Sequence, residues 1–169
     1  MKSHRASSEK GPTNAMSGGR ASAGRGGGRS RAREFALQGL YQWLLARTPP
    51  PAIRAHLAES SGFDRCDTAF FDGLWQGVTG EFDALVASLV PYLDRVPEQL
   101  SPIEKCVLVI GAWELLRTPE IPYRVAINEA VELAKTYGGT DGHKYVNGVL
   151  DKLAVATRAA EVGAARAAG

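Results

Sequence analysis

The 169-residue chain has only two cysteines, Cys66 and Cys106, far apart in sequence. Two lone cysteines make neither a zinc-ligand set nor a disulfide framework. Both fall in helical patterns, where a cysteine packs as a small apolar group. Long apolar runs are missing too. No stretch reaches the roughly 20 residues that span a bilayer, and no charged start leads into an apolar segment of the secretory kind. A cytoplasmic protein with no membrane partner is therefore expected. Period-two alternation is absent, as are hairpin dipeptides between β-rich runs, so the expected fold is all-α. No phosphate-binding Walker A sequence, no G-x-G-x-x-G after a strand and no G-x-S-x-G elbow is found.

What might do chemistry is sparse. Glu129 and Glu132 stand at i and i+3, and Asp141-x-His143 follows. A carboxylate–histidine cluster of this kind can in principle bind a metal or move protons. A solvated helix face and a helix cap account for the same residues better. No enzyme, no cofactor and no metal is expected.

Charge is present but unevenly placed. The net charge is +2, yet residues 1–33 hold eight Lys/Arg against one acid, Glu9, and residues 34–169 are net acidic. A basic arm suits a polyanion such as nucleic acid. An acidic body suits a basic protein, such as a ribosomal one. Residues 1–28 are rich in Gly, Ser, Ala and Arg, with little to bury, which predicts a disordered basic tail. Residues 29–157 read as one compact bundle of about seven helices. Residues 158–169 are Ala-rich with few anchors and are expected to fray.

Within the body, residues 29–45 form a first helix with Leu37, Leu40, Tyr41 and Leu44 on one stripe and Ser30 as cap. A short helix over residues 51–60 carries Ile53 and Leu57. Asp67 caps a third, with Phe70, Phe71, Leu74 and Val78 inward. Phe82, Leu85, Val86 and Leu89 mark a fourth, which Pro91 ends. Ser101-Pro102-Ile103-Glu104 is a capping box with proline at the first helical position. The helix it opens is apolar nearly all round and should be the central post. Residues 121–153 then form a helical hairpin. One stripe is Ile127, Ala130, Val131 and Ala134, and the other is Val146, Val149, Leu150 and Leu153. Gly138 or Gly139 is expected to close the first helix in the left-handed conformation, and Thr140 or Asp141 to cap the second.

Arg29, Arg31 and Arg33 crowd the start of the first helix, the end where the macrodipole disfavours cations. A bound phosphate reverses that sign, since a helix start attracts anions. RNA is read by stacking bases on flat side chains while cations hold phosphates. The parts available for RNA are Arg29, Arg31 and Arg33 with Tyr41 on the first helix, and Asp141, His143, Lys144 and Tyr145 at the start of the last. For Tyr145, packing on a neighbouring helix is an equally good account.

The stretch PYRVAINEAVELAK at 122–135, then DGHKYVNGVLDK at 141–152, resembles the NusB family of bacterial transcription antitermination factors. Residues 31–41, from Arg31-Ala32-Arg33-Glu34 to Leu40-Tyr41, resemble that family's opening helix. The resemblance spans roughly residues 29–153. It implies binding of boxA-type RNA together with NusE, a small-subunit ribosomal protein. It also implies a larger complex with NusA, NusG and RNA polymerase, notably during ribosomal RNA synthesis. It places the NusE surface at Tyr92, Glu98 and Glu104. Ser30 interrupts a run that the family often keeps basic. Val109 stands where many members carry arginine, and Gly142 and Tyr145 replace a common serine and phenylalanine. Some RNA-modifying enzymes carry a NusB-like domain, but this chain is expected to lack room for a catalytic one. The alternatives are a protein-interaction module or homodimer without specific RNA binding, and an accessory to an RNA-modifying enzyme.

Overall fold

α5, Pro102–Arg117, is the post around which the other helices gather. The computed structural model describes residues 25–169, with side chains from residue 27 on. Residues Cys106 to Ala112 and Leu115 are all buried, so this helix must be covered on every side. The cover consists of α1 (Arg25–Ala46), α3 (Thr68–Gly80), α4 (Phe82–Leu89), α6 (Tyr123–Tyr137) and α7 (Gly142–Thr157). The short α2, Pro50–Ala58, packs on α1, and α8, Ala159–Ala168, packs on α7. All eight elements are helices, with short 3₁₀ turns at Phe63–Arg65, Val90–Tyr92 and Pro97–Gln99, and no strand among the described residues.

Local sequence explains most of the ends. Ser101 Oγ accepts the Glu104 N–H at 3.2 Å with Pro102 opening α5, and Asp67 Oδ1 accepts the Phe70 N–H at 3.0 Å to open α3. α4 stops at Leu89 and runs into a 3₁₀ turn at Pro91, which has no N–H to continue the ladder. Of the expected stripes, Ile127, Ala130 and Ala134 and Val146, Val149, Leu150 and Leu153 are buried, and Val131 is half-buried. Gly111 lets α5 and α7 approach closely. A Cβ there would stand 2.5 Å from Leu150 Cδ1.

Several expectations are corrected. α1 begins at Arg25, four residues before the predicted start, so part of the predicted tail is helix; residues 1–24 lie outside the described residues. Ser30 is therefore inside α1 and is not a cap. Gly138 is extended, at φ −89° and ψ −179°, and is not left-handed. What selects glycine there is space, since a Cβ would meet the Ala134 carbonyl oxygen at 2.6 Å. Asp141 precedes α7 but makes no side-chain cap bond. The expected frayed end is a helix: α8 buries Val162, and Arg158 ahead of it is buried as well. Left-handed backbone occurs instead at Gly62, φ 88°, before the first 3₁₀ turn, and at Arg47, φ 54°, just beyond α1.

Candidate nucleic-acid interface

The first predicted group lies on the opening turns of α1. Arg29 is exposed; its Nε is 3.6 Å from Asp67 Oδ2, and its guanidinium lies over the Phe70 ring at 4.9 Å. Arg31 is half-buried, with a guanidinium nitrogen against Gly62. Arg33 departs from its expected place on the RNA surface. It is 2% exposed, and its Nε donates to both carboxylate oxygens of Glu114, at 3.1 and 2.9 Å. Its Nη2 donates to Glu114 Oε1 at 2.5 Å, and its Nη1 lies 3.6 Å from Glu129 Oε1. The Ser30 hydroxyl completes the cluster by donating to Glu129 at 2.9 Å.

This arrangement removes much of the macrodipole argument. Helical geometry puts Arg33 about 12 Å from the first residue of α1, beyond the first turn where the dipole acts. Its charge is met by Glu114, which α5 carries into the core. Burial pushes the Glu114 carboxyl above the usual range, against the opposing pull of the Arg33 guanidinium. Glu114 is a residue that sequence reasoning missed. The available signal was a lone carboxylate inside an otherwise apolar helix, since such a charge is buried only with a partner.

Beside this cluster is a cleft of about 810 Å³ between the start of α1 and the start of α6. Arg29 and Arg65 line it, but so do Asp67, Glu120 and Glu129. Cations and carboxylates are interleaved there, so it is not a bare anion pocket. Tyr41, 40% exposed, is on the same helix as Arg29 but about 18 Å along its axis.

The second predicted group lies at the start of α7. Lys144 is exposed, with Nζ 3.6 Å from the exposed Asp141 carboxylate; His143 is half-buried. Tyr145 is half-buried as well. Its hydroxyl accepts the Asp94 N–H at 3.3 Å, and the Arg95 guanidinium covers its ring at 4.4 Å. A cleft of about 300 Å³ gathers Tyr92, Asp94, Lys144, Tyr145 and Lys152. Tyr92, predicted for a protein partner, thus stands with two residues predicted for RNA. Glu104 belongs to the same neighbourhood, since a Cβ on Gly142 would lie 3.7 Å from its carboxylate. Glu98 is exposed on the turn before α5.

The two groups do not form one patch. Glu104 marks one end of α5 and Glu114 lies toward the other, about 15 Å along the axis. The weighed metal cluster does not assemble. Glu129 is held by Ser30 and Arg33, Glu132 by Lys135, and Asp141 by Lys144. Among the described residues no three His, Cys, Asp or Glu side chains gather to hold a metal, and no helix is long and apolar enough to cross a membrane.

One support for the first group comes from the chain's end. The buried Arg158 guanidinium donates to the backbone carbonyls of Glu114, Leu115, Thr118 and Ile121, at 2.9, 2.9, 2.8 and 2.5 Å. Of these, the Glu114 and Thr118 carbonyls also accept the Thr118 and Ile121 N–H groups, so it is the Leu115 and Ile121 carbonyls that depend on the guanidinium. Glu161, paired with Arg158 at 3.1 Å, accepts the Tyr123 N–H at 2.8 Å and so caps α6.

Residues 30–155 match the family model described as the NusB family. The transcription antitermination protein NusB of Ralstonia nicotianae is 56% identical over 138 residues, covering 82% of this chain and 89% of that protein. Its counterpart in Thiobacillus denitrificans is 54% identical over 136 residues, covering 80% and 94%. Among solved structures, T. maritima NusB aligns with a TM-score of 0.67 at 27% identity, covering 75% of this chain and 89% of that one. A chain from a complex of the antitermination factors NusB and NusE with double-stranded RNA aligns with a TM-score of 0.66 at 22% identity, covering 76% and 96%; this is a likeness of fold.

Proposed function

The chain belongs to the NusB family, and on that premise we propose that it is a transcription antitermination factor that binds boxA-type RNA together with NusE. One observation carries this reading: 56% identity to an antitermination protein along 89% of that protein's length. The likeness runs along most of that protein and is not confined to a short shared motif. The chain acts by binding, and the reading calls for no catalytic residue.

Two regions support an RNA face. At the start of α1, Arg29 is exposed and follows a basic sequence. At the start of α7, Lys144 and Tyr145 combine a cation with a ring, the pairing that single strands need. Tyr92 and Glu104 lie beside the second region, Glu98 is exposed on the turn before α5, and the three are the inferred NusE contacts. A carboxylate-bearing face there suits a basic ribosomal protein. The RNA–NusE pair then joins NusA, NusG and RNA polymerase in a complex that resists termination, notably on ribosomal RNA.

The test is binding of the purified chain to a boxA-type strand and to its scrambled version, each with and without NusE, at two salt concentrations. The expected result is tighter, NusE-enhanced binding to the boxA strand, weakening as salt rises. Equal and weak binding to both strands, abolished by salt, would overturn the reading and leave only nonspecific electrostatic attraction.

A further inference from the structure

Resting on the RNA-binding reading above, we propose that Arg95 is a positioning residue of the RNA interface. Its guanidinium occupies the face of Tyr145 on which a base would stack, and a protein docked beside Tyr92 draws it away.

Two consecutive residues grip Tyr145. The Asp94 N–H holds its hydroxyl at 3.3 Å, and the Arg95 guanidinium lies 4.4 Å from its ring centroid. Arg95 in turn is clasped by its neighbour, Nε to Asp94 Oδ1 at 2.6 Å and Nη2 to Oδ2 at 3.2 Å. A base stacking on that face has to displace Arg95. The strap is built to yield. The Arg95 side chain is 37% exposed and that of Asp94 62%, and both the ion pair and the cation–π contact are weak when solvated.

The surrounding chemistry is that of a single-strand site. Lys144 and Lys152 flank Tyr145 in one cleft, two cations beside an aromatic ring. Lys152 is assigned to this site by the cleft alone.

The strap is also part of the inferred partner face. It lies between the two 3₁₀ turns Val90–Tyr92 and Pro97–Gln99, in a segment with no α-helix of its own. Val90 and Val96 are exposed on the same segment, close in sequence to Tyr92 and Glu98. A partner that buries Val90, Tyr92 and Val96 handles the backbone carrying Asp94 and Arg95. A shift there uncovers Tyr145. Coupling of this kind is reciprocal, so RNA tightens the partner by the factor with which the partner tightens RNA.

The experiment measures the affinity of the full chain for a boxA-type strand and its scrambled version, with and without NusE. It compares the parent, Arg95→Ala, Tyr145→Leu and the double variant. Arg95→Ala is expected to tighten boxA binding without NusE by about two- to fivefold, the scale of a solvated cation–π contact that no longer has to be broken. It should shrink the NusE enhancement by the same factor. In the Tyr145→Leu background Arg95→Ala should have no effect, because the ring it covers is gone. An inert Arg95→Ala, or one equally effective without the Tyr145 ring, overturns the inference alone, provided that the parent prefers boxA. A parent that does not distinguish boxA from its scrambled version overturns the functional reading and this inference with it.

Discussion

Arg33 and Glu114 stand 81 residues apart in sequence and meet inside the core, with Nη2 of one 2.5 Å from Oε1 of the other. The pair joins α1 to α5, and Glu129 of α6 approaches the same guanidinium. An arginine that reads as part of a basic surface is thus an internal tie among three helices. A variant at this position tests stability before it tests RNA binding.

Removing one partner leaves a buried charge unpaired, which costs more than the pair contributes. Glu114→Ala is expected to destabilise the fold by about 3–5 kcal/mol, read as a lowered urea midpoint with an unchanged slope. Replacing both residues with apolar ones, Arg33→Met with Glu114→Leu, should recover most of that loss. A double variant as unstable as Glu114→Ala would show that the pair does more than neutralise itself.

Arg158 gives a second stability prediction. Its guanidinium satisfies four backbone carbonyls at the end of α5 and in the link to α6. Arg158→Ala should cost about 3 kcal/mol, because the Leu115 and Ile121 carbonyls are left without a donor while those of Glu114 and Thr118 keep backbone N–H partners. Amide hydrogen exchange should then quicken in α8 and in the first turn of α6. Exchange confined to α8 would show that the anchor holds only its own helix.

Glu161 supplies a pH dependence with a definite sign. The Tyr123 N–H holds its carboxyl below the usual range, with Arg158 adding to the effect. A group depressed on folding contributes stability that is fully present above its unfolded pKa and is lost as pH falls through the folded value. The contribution is screened, since the side chain is 37% exposed. Glu161→Gln should therefore narrow the stability difference between neutral pH and the acidic side of the carboxylate range. An unchanged pH profile would argue against the cap.

Arg47 adopts φ 54° immediately after α1. Side chains disfavour that region and glycine does not. Arg47→Gly is expected to raise stability by about 0.5–1 kcal/mol, seen as a higher thermal midpoint. A loss would mean that the Arg47 side chain makes a contribution larger than its backbone strain.

Arg29 remains the exposed cation of the α1 group, held by Asp67 at 3.6 Å and by the Phe70 ring at 4.9 Å. As a phosphate contact, Arg29→Ala should weaken boxA and scrambled strands alike and reduce the slope of log affinity against log salt by about one. A change confined to one sequence would give Arg29 a base-reading role.

Much of the fold was legible because helix periodicity and capping are local. The stripes of α6 and α7, the Ser101 cap (the serine half of the expected box) and the Asp67 cap need only a few neighbouring residues to specify them. The errors came where the deciding partner is distant in sequence. Gly138 is the local exception: it suggested a left-handed turn, yet its role is to clear the Ala134 carbonyl four residues earlier. Ser30 suggested a cap, yet its hydroxyl faces Glu129, 99 residues away. The alanine-rich end suggested fraying, because nothing within it shows that Arg158 will find backbone carbonyls at the end of α5 and in the link to α6. The site divided in the same way. Its residue types were readable, and the placing of Tyr92 beside Lys144 and Tyr145 was not.

The sequence by itself therefore determined an all-helical body, the apolar faces of its helices, a central post in α5 and the family to which these patterns belong. The first three follow from the period of apolar residues and from short-range hydrogen bonding; the family follows from the motif residues at 31–41, 122–135 and 141–152. Only the tertiary structure decided which charges face water. Arg29 and Arg33 are chemically alike and one helical turn apart, but α5 meets one with a carboxylate in the core and leaves the other at the surface. Burial is a property of the whole packed molecule, and it is burial that turns one arginine into a structural tie and leaves the other at the surface.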